Sequence, residues 1–129
     1  MTTRLPETII DQVHRAAITS PLNEIARTLE QVLSRRLTAV IVGIKDGKTI
    51  ARWAAGEIEE IRSKETEQRL RMTYQIVLLL LQSQDSQQTV KAWFIGLNPQ
   101  LNDESPAEAI RNGRLKEAWA ASRAFVAGG

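Results

Sequence analysis

Apolar residues recur every three or four positions along most of the chain, the spacing of amphipathic helices, and Pro, Gly and capping residues break the pattern into segments. Ile9, Ile10, Val13 and Ala17 share one face of a first helix, with Pro6 suited to its opening turn. Ser20-Pro21 supplies an N-cap and a first helical residue, and Leu22, Ile25, Ala26, Leu29, Val32 and Leu33 line one stripe of a second helix reaching position 33 or 34. Leu37 to Ile44 reads two ways. Its β-branched content suits a short buried strand, its length fits strand or helix, and no partner strand is apparent elsewhere. Asp46-Gly47 signals a turn, after which Lys48 to Ala55 forms a short helix closed by Gly56.

The second half begins with a long helix from about Ser63 to Gln82. Its apolar residues sit on one side at Leu70 and Tyr74, then all round from Ile76 to Leu81, as expected of a helix whose end lies in the centre of the fold. Ser86 to Ile95 holds Val90, Trp93, Phe94 and Ile95 in another short helix, followed by a loop from Leu97 to Glu104. Asn98, standing before Pro99, is biased out of the helical region. Ser105-Pro106-Ala107-Glu108 is a capping box that starts a helix of two turns, stopped at Asn112-Gly113. Leu115, Ala118, Trp119, Ser122, Phe125 and Val126 repeat at helical spacing to the end. The expected fold is all-α, about seven helices, with residues 1–62 and 63–129 as two lobes.

Composition narrows the chemistry. The 129 residues include no Cys and one His, which removes disulfides, Cys/His zinc sites and thiol catalysis. No G-x-S-x-G, Gly-rich phosphate loop or H-E-x-x-H occurs. His14 falls on the polar side of the first helix, and Glu57, Glu59, Glu60, Glu65 and Glu67 lack the spacing of a carboxylate pair in a cleft, so all are read as solvated. The expectation is a protein without enzymatic activity, cofactor or metal. The apolar run Ile76 to Leu81 is too short to cross a bilayer and the first residues lack a signal-peptide apolar region, so a cytoplasmic location without membrane attachment is expected.

Net charge is only +2, but its distribution is uneven. Arg35, Arg36, Lys45, Lys48 and Arg52 face a single acid, Asp46, and an acidic stretch follows from Glu57. The bland account of both is a pair of solvated helix faces. The basic stretch also fits a helix-turn-helix, with Ala39 as the small residue facing the partner helix, Gly43 at the turn, Ile44 just after it, and Ile50 and Trp53 turned inward. Lys48, Thr49 and Arg52 then point outward, Arg52 suited to reading guanine and Lys48 and Thr49 to phosphates or base edges, with Arg36 and Lys45 completing the DNA-facing set. Lys45-Asp46-Gly47 makes the turn one residue longer than usual.

The stretch from Val90 to Gly113 resembles the toxin-binding domain of the Xre/MbcA/ParS antitoxins. It has an aromatic helix end (Trp93-Phe94), an Asn-Pro-x-Leu loop (Asn98-Pro99-Gln100-Leu101), a Ser-Pro-capped short helix (Ser105-Pro106) and a Gly (Gly113). Ile50 to Gly56 likewise resembles the DNA-binding helix of that family, so the resemblance spans residues 36 to 129. It departs at Asn102-Asp103-Glu104, where members often carry Gly; Asn and Asp tolerate the left-handed region, so the turn survives.

The resemblance implies an antitoxin of a type II toxin-antitoxin system that forms a homodimer, represses its own operon by binding operator DNA, and occludes an NAD-degrading RES-type toxin. Trp93, Phe94, Leu97, Asn98, Pro99 and Leu101 carry the partner-binding motif, although Trp93, Phe94 and Leu101 also suit a core and Asn98-Pro99 suits loop setting. The outer side of the last helix, with Arg114, Lys116, Glu117 and Arg123, offers further contact surface. The competing reading is a solitary helix-turn-helix regulator whose C-terminal lobe dimerises or binds another protein.

Overall fold

The structure, a computed structural model, describes residues 7–83 and 85–128; Pro6, expected in the first helical turn, lies outside them. Among the described residues the regular structure is all-helical. The elements are α1 (Glu7–Thr19), α2 (Leu22–Leu33), α3 (Arg35–Val42), α4 (Gly47–Ala54), α5 (Lys64–Gln82), α6 (Gln87–Ile95), a 3-10 turn (Pro99–Leu101), α7 (Pro106–Arg111) and α8 (Leu115–Val126). The helix beyond the expected seven is the ambiguous segment, which is α3.

Local hydrogen bonding makes α3 a helix despite its β-branched residues. Ser34, at φ 90°, ends α2 by donating its N–H to Glu30 O, and its hydroxyl accepts from Leu37 N at 3.2 Å to start α3. Thr38, fully buried, donates its hydroxyl to Ser34 O at 2.7 Å, so the β-branched side chain satisfies itself within the helix. Gly43, at φ 81°, closes α3 in the left-handed region while Ile44 N donates to Ala39 O, a Schellman arrangement. Side-chain caps at Asp46, Ser63, Ser86 and Ser105 start α4, α5, α6 and α7, the last as its capping box predicts. Ser20, expected to cap α2, does not: Pro21 takes the N-cap position in an extended conformation, no side chain caps the helix, and Leu22 is its first residue.

One apolar core takes residues from every helix but draws most on α2 and α5. Ile25, Leu29 and Leu33 of α2 meet Leu70, Ile76 and Leu80 of α5, and Ile41, Ile50, Phe94, Leu101 and Ile110 complete it, all with under 2% exposure. The expected boundary at 62/63 falls between α4 and α5, and apolar side chains from both sides of it join this core. A polar clamp adds to it: Arg71 of α5 donates through Nη1 to Ala17 O (2.9 Å) and Ser20 O (3.1 Å), satisfying carbonyls at the end of α1, while its Nε holds Glu67 at 3.0 Å. Among the described residues no helix is long and apolar enough to cross a membrane.

Two stability changes test this packing. Leu79 is fully buried, so Leu79→Ala is expected to cost about 2 to 5 kcal/mol in urea unfolding, the range for emptying a packed site. Gly47 opens α4 against α3, where an added Cβ would lie 2.8 Å from Arg35 Cβ. Gly→Ala normally stabilises a helix by about 0.5–1 kcal/mol. Here overpacking reverses the sign, and Gly47→Ala is expected to lose roughly 1 to 3 kcal/mol by the same measurement.

Candidate functional site

The close approach at Gly47 sets the first candidate surface. It brings the start of α4 onto the start of α3, so the N-termini of two helices, each carrying partial positive charge, lie side by side. Between them is a cleft of about 710 Å3 lined by Arg35, Arg36, Lys45 and Lys48, with Ala39, Val40, Ile44 and Ala51 as its apolar lining. Arg35 pairs with Glu30 of α2, whereas Arg36, Lys45, Lys48 and Arg52 make no ion pair among the described residues. The local acid, Asp46, is engaged as the N-cap, accepting from Lys48 N at 2.9 Å. The basic stretch therefore keeps its charge available to a ligand.

Packing decides which expected DNA-facing side chains point out. Ile50 (fully buried) and Trp53 hold α4 to α2 and α3, and this leaves Lys48 and Arg52 exposed on the other side. Arg36 and Lys45 are exposed as well, but Thr49 is half-buried rather than turned fully outward. Arg52, in the last turn of α4, stands outside the cleft that gathers Arg36, Lys45 and Lys48. Arg35 and Val40, which the sequence pattern did not single out as contacts, line that cleft; the adjacency of Arg35 to Arg36 at a helix start is the signal that could have found the first.

The second surface follows α6. Asn98 is extended, its Oδ1 accepts from Gln100 N and its carbonyl accepts from Leu101 N and Asp103 N, each at 2.9 Å, so one residue organises the loop. Asn102 (φ 56°) and Asp103 (φ 64°) take the left-handed turn expected of them, and Asn98 N returns to Glu104 O to close it. Leu101 is fully buried and pins the loop to the core.

Burial corrects the expected partner surface. Phe94 is fully buried, Leu101 likewise, and Trp93 is 9% exposed, because α6 packs its aromatic end against α2, α5 and α7; these three are core residues. Trp93 stacks edge-on to Phe94 at 5.1 Å and lies 6.3 Å from Phe125 of α8. What remains outward is Leu97, 79% exposed, with exposed Pro99 and half-buried Asn98. The indole N–H of Trp93 is buried without an acceptor among the described residues. On α8, Lys116, Glu117 and Arg123 are exposed, but Arg114 is half-buried and tied to Glu104 (3.0 Å) and Glu117 (3.2 Å), bracing the loop from behind.

His14 is exposed on α1, and among the described residues no cluster of three His, Asp or Glu side chains is placed to hold a metal. Comparison of the chain with protein-family models, with curated proteins and with solved structures finds no match.

Proposed function

We propose that this chain is a DNA-binding antitoxin: α3 and α4 act as a helix-turn-helix on operator DNA, and the Leu97–Pro99 edge meets a RES-type toxin. The observation that carries the DNA half is the set of unpaired cations, Arg36, Lys45 and Lys48, gathered at two adjacent helix N-termini. Phosphate is the ligand such a site suits, through charge-assisted hydrogen bonds and the helix ends. Arg52, exposed on the outer face of a helix whose inner face is anchored by Ile50 and Trp53, supplies base readout. A homodimer would pair two such units on a two-fold operator.

The toxin half rests on the family resemblance and on Leu97, an apolar side chain held outward on an ordered loop. The burial of Trp93, Phe94 and Leu101 favours a second, narrower reading, a regulator whose C-terminal half serves packing and dimerisation. A co-expressed RES-type toxin separates the two. Under the antitoxin reading it co-purifies with the chain and cellular NAD is preserved; under the regulator reading it does neither.

Binding experiments check each half. Arg52→Ala is expected to lower affinity for the preferred duplex by about 1 to 3 kcal/mol and to relax preference at one base pair. Arg36→Ala and Lys45→Ala should weaken binding to every duplex and reduce the salt slope by about one unit each. Mobility shifts over a salt series, on a duplex selected from a random pool, measure all three, and unchanged affinity at low salt would remove the DNA assignment. Leu97→Asp should abolish toxin co-purification while leaving the urea midpoint in place, since the side chain is already in water.

A further inference from the structure

The cleft between α3 and the start of α4 holds a second chemistry that the DNA reading leaves unused. Its cations, Arg35, Arg36, Lys45 and Lys48, meet one carboxylate in the lining, Asp46, and Arg35 is already paired with Glu30. Its apolar residues come from both flanks: Ala39 and Val40 from α3, Ile44 from the turn and Ala51 from α4. Val40 stands out among them. It is 39% exposed on a helix whose Thr38, Ile41 and Val42 are buried, so an apolar side chain faces water beside the cations.

The two sets together constrain a ligand. A single phosphate carries about −1.5 to −2 near neutral pH, so the three unpaired cations match two linked phosphates better than one. Apolar residues on both flanks suit a flat ring rather than a flexible chain, because a ring touches both and loses little freedom on binding. The cleft volume of about 710 Å3 lies in the range of small-molecule sites.

We propose that this cleft binds a nucleoside diphosphate, its phosphates on Arg36, Lys45 and Lys48 and its base against Val40 and Ala51, and that the bound nucleotide displaces operator DNA. The binding site stands on the cleft alone; the displacement rests on the DNA reading, since both ligands would use the same cations.

ADP, pyrophosphate and adenosine, titrated without divalent cations into the isotope-labelled full chain and followed by nitrogen–proton correlation NMR, test the site. ADP is expected to shift the backbone amides of Val40 and Lys48 saturably and to bind about tenfold more tightly than pyrophosphate or adenosine, because it alone uses both sets of residues. Arg36→Ala should weaken ADP and pyrophosphate about tenfold each, whereas Val40→Asn should weaken ADP about fivefold and leave pyrophosphate unchanged. Arg27→Ala, which removes an exposed cation of α2 outside the cleft, should leave ADP affinity as it was. Pyrophosphate binding as tightly as ADP, an absence of saturable shifts, an unchanged ADP affinity in Val40→Asn, or an equal loss in Arg27→Ala and Arg36→Ala would each overturn the proposal. In mobility shifts, saturating ADP should release the selected duplex, and a duplex that stays bound would overturn the displacement. A chain that binds ADP saturably but no duplex would remove the DNA reading, and the displacement with it, while upholding the nucleotide site.

Discussion

The run from Ile76 to Leu81 in α5 has no polar side to offer water, and the rest of the molecule is arranged around that fact. Ile76, Val77, Leu79 and Leu80 are all fully buried, and each such side chain contributes about 1.5–3 kcal/mol when removed from water. Burying so much of one helix takes several neighbours, and over its whole length α5 packs on α1, α2, α3, α6, α7 and α8, which leave only Leu78 and Leu81 of that run half-buried. The first half of α5 is different. Its polar residues tolerate partial exposure, so α1 and α8 need only flank it, and a groove remains where a fully apolar helix would have left none.

The two candidate surfaces use the core in opposite ways. On α4 the inner residues Ile50 and Trp53 are buried, and their spacing forces Lys48 and Arg52 outward, so packing and charge display are consequences of one helical period. In the loop after α6, a single buried residue, Leu101, and a single organising residue, Asn98, hold a backbone that presents Leu97 to solvent. A helix holds its outward groups by periodicity; a short loop needs anchors. Arg114, bridging Glu104 and Glu117, is a further anchor.

Helix starts were legible at Ser63, Ser86 and Ser105, where an apolar stripe follows, whereas at Ser20-Pro21 the stripe was legible and the cap was not, since Pro21 itself takes that position. Leu37 to Ile44 was not, because β-branched side chains suit both states, and what decides is the hydrogen bonding at its start: Ser34, in a positive-φ conformation, caps Leu37 N, and Thr38 bonds back to Ser34 O. The left-handed Asn102 and Asp103 could be anticipated because their side chains tolerate that region. Exposure was harder. The aromatic pair Trp93-Phe94 reads the same in sequence whether it faces a core or a partner, and only the packing of α6 on α2, α5 and α7 distinguishes them. The half-burial of Thr49 and the cleft position of Arg35 depend in the same way on how α3 and α4 meet, which Gly47 permits and a residue list does not reveal.

The Arg71 clamp has a consequence for how the chain is made. Its guanidinium reaches back 54 residues to Ala17, so α1 has no place to dock until α5 has left the ribosome. At about 5–20 residues per second, 54 residues take roughly 3 to 10 seconds. During that interval the apolar stripes of α1 and α2 belong to a nascent chain whose central helix does not yet exist, which makes the unfinished N-terminal half a natural client for chaperones that hold exposed apolar segments during synthesis.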